Sequence, residues 1–250
     1  PGSIGFAYAL MAIVTAIASP AAGWLGNRFG ARRTMLVGTI LFFIGMMWTS
    51  QTKHIWELYT AYGIVFGISQ ALLLVPVVPA VAAWFRRHLG LGTGIMMVSW
   101  SLGPALVVQV LAVLFSTVGW SQAFMIVGIT GTLTLVLILM FFRNTPQDAG
   151  RIAYGTRMND SPLITSGNIY IKAQKEFQRF TYKTNAFWNL INIHFLGCVG
   201  HAVILVGIIP LGISKGLGPL TAAGVLTTIS VVSVITRFMA PVLAEKISAK

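Results

Sequence analysis

The feature that most constrains this chain is the alternation of long apolar runs with short basic loops. Seven apolar runs are read at roughly 4–24, 34–51, 55–83, 89–118, 120–142, 184–210 and 219–244. As helices rising 1.5 Å per residue, they can each cross a hydrocarbon core of about 30 Å, the longer ones by tilting. Composition agrees: 56 % of the 250 residues are apolar and only 9 % are charged. A water-facing domain carries about a quarter charged residues, so this chain could not coat such a surface. The expected fold class is therefore an all-α polytopic membrane protein.

The net charge of +12 invites a nucleic-acid reading, but the placement of the basic residues argues against it. Of the 17 Lys and Arg, fourteen fall in loops on one side of the runs. The other side holds only Lys53 and Lys215, and Arg237 lies within a run. By the positive-inside rule the rich side is cytoplasmic, which places the loops 25–33, 85–88, 143–183 and 245–250 there and points to the cell (inner) membrane. The expected partners are the lipid bilayer and a small solute, with no nucleic acid. The single cysteine, Cys198, excludes an internal disulfide framework.

Stretch 143–183 departs from the alternation. It combines basic residues with three of the five acidic ones, Asp148, Asp160 and Glu176, and reads as a polar linker. An amphipathic helix over 170–183 is expected along the membrane surface. The chain then divides into a first bundle (1–142), a cytoplasmic linker (143–183) and the start of a second bundle (184–250).

One loop carries a recognisable pattern, Gly23-Trp-Leu-Gly-Asn27-Arg28-Phe-Gly30-Ala-Arg32-Arg33, and it is echoed by Pro241-Val-Leu243-Ala-Glu245-Lys246-Ile-Ser248-Ala-Lys250. The offset from Leu25 to Leu243 is 218 residues. A loop recurring at long period after an apolar helix points to two related halves. It resembles the G-x-L-A-D-R-x-G-x-R-R signature of the major facilitator superfamily. The stretch from Trp84 and Phe85 through Arg87, Leu91 and Gly94 to Gly103 is similar to the monocarboxylate porter pattern, with His88, Leu89 and Ser99 departing from it. Asn185-Ala-Phe187-Trp188 resembles the entry to the seventh helix of monocarboxylate and oxalate–formate porters. The resemblance implies a partial major facilitator fold in which the seven runs are helices two to eight of twelve, so that the sequence reads as a fragment.

Arg237 is the leading site candidate, because a cation deep in a span costs several kcal/mol unless it is partnered or hydrated. The resemblance implies that it pairs with a substrate carboxylate, for which the planar guanidinium fork is suited. The alternative is that its stem snorkels to the interface. Ser233 stands where proton-coupled relatives carry an aspartate. Any coupled proton would then fall to His194 and His201, seven residues apart on one helix face. Gln70, Ser99, Gln109, Asn189 and Asn192 are polar groups inside spans that either line a pathway or join helices.

The resemblance also implies a conformational latch in the signature loop. Its members here are Gly23, Asn27, Arg28, Gly30, Arg32 and Arg33, with Glu245 and Lys246 in the second copy. Asn27 removes the acid of the pattern and Glu245 keeps it. Gly90-Leu-Gly92-Thr-Gly94 lacks the strand and lysine of a phosphate loop and is read, like Gly63 and Gly67, as a close helix approach. Pro76, Pro79 and Pro104 are expected to kink their helices. Trp48, Trp56, Tyr59, Trp84 and Trp120 read as interface anchors.

No constellation of nucleophile, base or metal ligands is found, so neither an enzyme nor a cofactor or metal site is expected. The function implied is secondary active transport of a small organic anion, a monocarboxylate, by alternating access, with a proton as candidate co-substrate. The rivals are a drug or neutral-solute exporter and a non-transporting membrane sensor.

Overall fold

The computed structural model describes residues 2–160 and 168–247. The end of the second signature copy, with Ser248 and Lys250, lies outside them. Among the described residues, seven helices are long and apolar enough to cross a membrane. They are α1 (Gly2–Phe29), α2 (Ala31–Ser50), α3 (Ile55–Trp84), α4 (Leu89–Thr117), α5 (Gly119–Phe141), α7 (Asn185–Ser214) and α8 (Pro219–Ile247). A shorter helix, α6 (Asn168–Thr181), precedes α7. The protein is an all-α, multi-pass integral membrane protein.

Contacts sort the chain into two compact units, residues 1–155 with 227–250, and residues 156–226. In the first unit α2 packs against α3 and α5, and α1 against α3. Its core sets alanines against a few Met and Leu side chains. One cluster joins Ala31, Met35, Ala80 and Leu139, and another joins Ala22, Ala71 and Leu72. Lipid is as apolar as leucine, so bundles in a bilayer hold together by close backbone approach and interhelical hydrogen bonds, and large side chains are left to face the acyl chains. Accordingly Ile17, Leu106, Leu133 and Phe141 are exposed on their spans.

The expected glycine contacts are found. A Cβ on Gly63 would lie 2.6 Å from Leu10 Cδ2, and one on Gly67 would lie 2.9 Å from Met11 O. Thr15 Oγ1 donates to Gly67 O at 2.9 Å across the same crossing. Within α3, Tyr59–Phe66 is wound as a π-helix, and Pro76 separates the segments Gly67–Leu74 and Val77–Trp84. Pro104 remains inside α4. At the start of α3, Glu57 Oε2 accepts the backbone N–H of Lys53 at 2.7 Å and of His54 at 3.3 Å, so this acid caps the helix.

The signature loop is shorter than the sequence suggests. Helix α1 continues to Phe29, and the turn reduces to Gly30, with φ 87° and ψ 150°. Only glycine takes that conformation without strain, and a Cβ there would stand 3.0 Å from Asn144 Nδ2. Gly30→Ala is therefore expected to cost about 2 kcal/mol, lowering the melting midpoint in detergent by roughly 4–8 °C. An unchanged thermal melt would contradict the assigned turn.

The second unit contains α6, α7 and the first turns of α8. Gly212 there admits a close approach, with its Cβ position 3.1 Å from Ala222 Cβ.

Candidate functional site

The seam where α4 meets α8 within the first unit brings several polar groups inside spans together. It begins at the basic-loop end with an unusual helix start. His88, the N-cap of α4, has φ 61° and makes no side-chain capping bond. The cap comes instead from α8: Glu245 Oε2 accepts the Gly90 N–H at 2.6 Å. A carboxylate there satisfies an orphan donor and meets the positive end of the helix dipole. Glu245 Oε1 also lies 3.8 Å from His88 Nδ1, a contact worth little because His88 is 64 % exposed.

Further along the seam, small residues let the backbones close. The Cβ position of Gly90 is 2.5 Å from Pro241 O, and that of Gly94 is 3.1 Å from Phe238 O. Ser101 Oγ and Ser233 Oγ are 2.8 Å apart, and Ser101 is buried. Gln109 Nε2 donates to Thr227 Oγ1 at 3.0 Å. Arg237 is half-buried one turn beyond Ser233 on α8. It precedes the last described helical residue, Ile247, by ten positions, about 15 Å along the axis.

The structure thus gathers Arg237, Gln109 and Glu245 on one helix pair. It places the other candidates elsewhere. Gln70 is half-buried on α3. Asn189, Asn192, His194 and His201 are exposed on α7, in the second unit. His194 Nε2 is 3.4 Å from Cys198 Sγ, one turn on. Lys246 is exposed at the end of α8, with Glu245 beside it.

The first signature copy forms a separate clip. Arg32 Nε donates to Leu139 O at 2.8 Å, covering an orphan carbonyl at the end of α5, and the Arg32 N–H bonds Asn144 Oδ1 at 2.8 Å. Arg28 stacks on Trp24 and Phe29, its Cζ 5.1 and 5.5 Å from the ring centroids. Asn27 and Arg33 are exposed, while Gly23 approaches Val75 Cγ1 at 3.6 Å from its Cβ position.

Two participants went unseen in the sequence. Asn144 follows α5 in a polar stretch where nothing distinguishes it. Tyr154 sits in the linker, yet its N–H donates to Trp84 O at 2.8 Å, its carbonyl accepts the Arg86 N–H at 2.9 Å, and its ring meets Phe85 edge-on. The start of the linker is thereby fastened to the α3–α4 loop.

Seven apolar helices, with glycine contacts and a polar α4–α8 seam in the first unit, define a polytopic helical membrane protein. The profile of the Major Facilitator Superfamily matches residues 1–250, and the chain belongs to that family. It is similar to the uncharacterised MFS-type transporter YhjX of Escherichia coli, with 22 % identity over 98 % of this chain and 58 % of that protein. Human monocarboxylate transporter 2 is 21 % identical over 94 % of this chain and 50 % of its own length. Mouse monocarboxylate transporter 11 is 28 % identical over 48 % of this chain and 27 % of its own length. The chain thus spans about half the length of such relatives.

Proposed function

We propose that this chain is part of a secondary active transporter for a small organic anion, a monocarboxylate, working by alternating access, with the linker 143–183 joining two half-bundles. The observation that carries the reading is Arg237, half-buried about 15 Å into α8 and one turn from the Ser101–Ser233 hydrogen bond. A cation at that depth has a functional origin by default, and a carboxylate is the substrate group its fork fits. The similarity to monocarboxylate transporters supports the same substrate class.

In this reading Gln109 joins the helices that border the site, and Gln70, Asn189 and Asn192 supply polar lining. Glu245 and Lys246 on one helix, with the Gly23–Arg33 corner, hold the basic-loop side closed, taken as the cytoplasmic side. Glu245 contributes through the α4 N-terminus, a charge-assisted bond of about 1.5–3 kcal/mol. The five acidic residues are Glu57, Asp148, Asp160, Glu176 and Glu245, none of them at mid-span. A coupled proton is therefore assigned to the imidazoles of His194 and His201 on α7.

The test is uptake of labelled lactate, pyruvate, formate and oxalate by the full natural chain in proteoliposomes, with and without a pH gradient. Saturable uptake that unlabelled carboxylates compete away is expected. Uptake of none of the four, or competition only by neutral solutes, would remove the carboxylate reading in favour of a neutral-solute exporter or a sensor.

A further inference from the structure

Helix α6 (Asn168–Thr181) divides its side chains by register. Ala173, Phe177 and Phe180, spaced four and three residues apart, share one face, and Lys172, Lys175 and Arg179, spaced three and four, share the opposite one. Phe177 and Phe180 are each 69 % exposed, and the three basic residues are exposed too. Two open phenylalanines backed by a basic face do not suit a helix surrounded by water.

The corner after α6 fixes where that face must lie. The helix is followed by a tight turn, with the Lys183 N–H bonded to Phe180 O and the Thr184 N–H to Thr181 O, both at 3.0 Å. Trp188 Nε1, in the first turn of α7, donates to Tyr182 O at 3.0 Å, and the Tyr182 and Phe187 rings meet edge-on at 5.3 Å. Helix α7 is one of the helices apolar enough to span. The first turn of a spanning α7 lies towards one membrane surface, and the corner ties the end of α6 to that turn.

We propose that α6 is a lipid-binding element that recognises an anionic leaflet on the basic-loop side. Its phenylalanines enter the boundary between headgroups and acyl chains while Lys172, Lys175, Arg179 and the adjoining Lys183 contact acidic headgroups. Charge complementarity selects this occupant: on the helix and its corner, four cations stand against one acid, Glu176. The assignment does not depend on what solute the seam takes.

The test uses the full natural chain carrying Cys198→Ser, with Phe177→Cys labelled by an environment-sensitive fluorophore. The protein is placed in nanodiscs of phosphatidylcholine with or without phosphatidylglycerol, some of the lipid bearing a quencher high on the acyl chain. Ala173→Cys provides a second probe that leaves both phenylalanines in place. Blue-shifted, lipid-quenched emission is expected when phosphatidylglycerol is present. Replacing Lys172, Lys175 and Arg179 by Gln should lower the docked-to-free ratio roughly fivefold per charge and abolish the lipid preference. Both probes remaining water-exposed in either lipid would overturn the proposal. So would emission that is shielded but unquenched, which marks a protein surface as the partner, or quenching indifferent to lipid charge and to the Gln substitutions.

Discussion

Arg237→Gln is expected to raise the half-saturating concentration of a carboxylate substrate roughly 100-fold. Removing one partner of a desolvated charge pair costs about 2–5 kcal/mol, and 3 kcal/mol is a factor of about 100 in affinity. Glutamine keeps the polarity of the position and much of its reach, so the change isolates the charge and the fork. Arg237→Lys restores the charge without the two parallel donors, and an intermediate loss of roughly tenfold is expected. The concentration dependence of uptake measures both variants, with thermal melting in detergent as the control for folding.

That experiment also separates binding from snorkelling. An arginine whose role is to reach the interface with its stem contributes to placing the helix, so its loss would appear in the melt and leave affinity unchanged. An arginine that binds substrate shows the reverse. The position sharpens the contrast. About 15 Å along the axis from Ile247, Arg237 lies farther from the end of its helix than the apolar run suggested, because α8 continues beyond residue 244. Wild-type affinity in Arg237→Gln would end the case for a carboxylate site on α8.

The architecture was legible in the sequence because one property, continuous hydropathy, decides it. All seven runs became helices, and the residues that divide them, such as Gly119 with φ 78°, were visible as breaks. The ends were less so. Hydropathy falls at Asn27 and Arg28, yet α1 continues through them, because a helix can extend past the bilayer with its polar turns in water. Close packing was readable at Gly63 and Gly67, since small residues four apart have few other uses on an apolar helix.

The seam was legible only in part. Glu245 stood out as the acid that the second signature copy retains, and Arg237 as a charge inside a span. Their partners carried no mark. Gly90 and Glu245 are 155 positions apart, and the group that the acid meets is a backbone N–H, which every residue but proline possesses. Ser101 and Ser233 likewise become a pair only when α4 and α8 lie together. Asn144 and Tyr154 act through contacts that hydropathy does not register, one on the Gly30 turn and one on the backbone of the α3–α4 loop.

Gly90→Val is expected to open the basic-loop end of the seam and to stop turnover. The first atom of the new side chain would stand 2.5 Å from Pro241 O, which is backbone and cannot rotate aside, and equally close to Glu245 Oε2. Overpacking of this kind costs about 1–3 kcal/mol, and separating the helices also breaks the Glu245 cap, so closure loses about 2 kcal/mol or more. The readout is a thiol placed at the buried Ser101 by Ser101→Cys in a Cys198→Ser background, probed with a membrane-impermeant reagent from the basic-loop side. A closure penalty of that size should speed labelling by at least roughly tenfold. Glu245→Gln, which keeps the shape and removes the charge, should give a smaller increase in the same direction. If Gly90→Val labels no faster than its parent, α4 and α8 do not part at this end during exchange, and the gate must lie on another pair of helices.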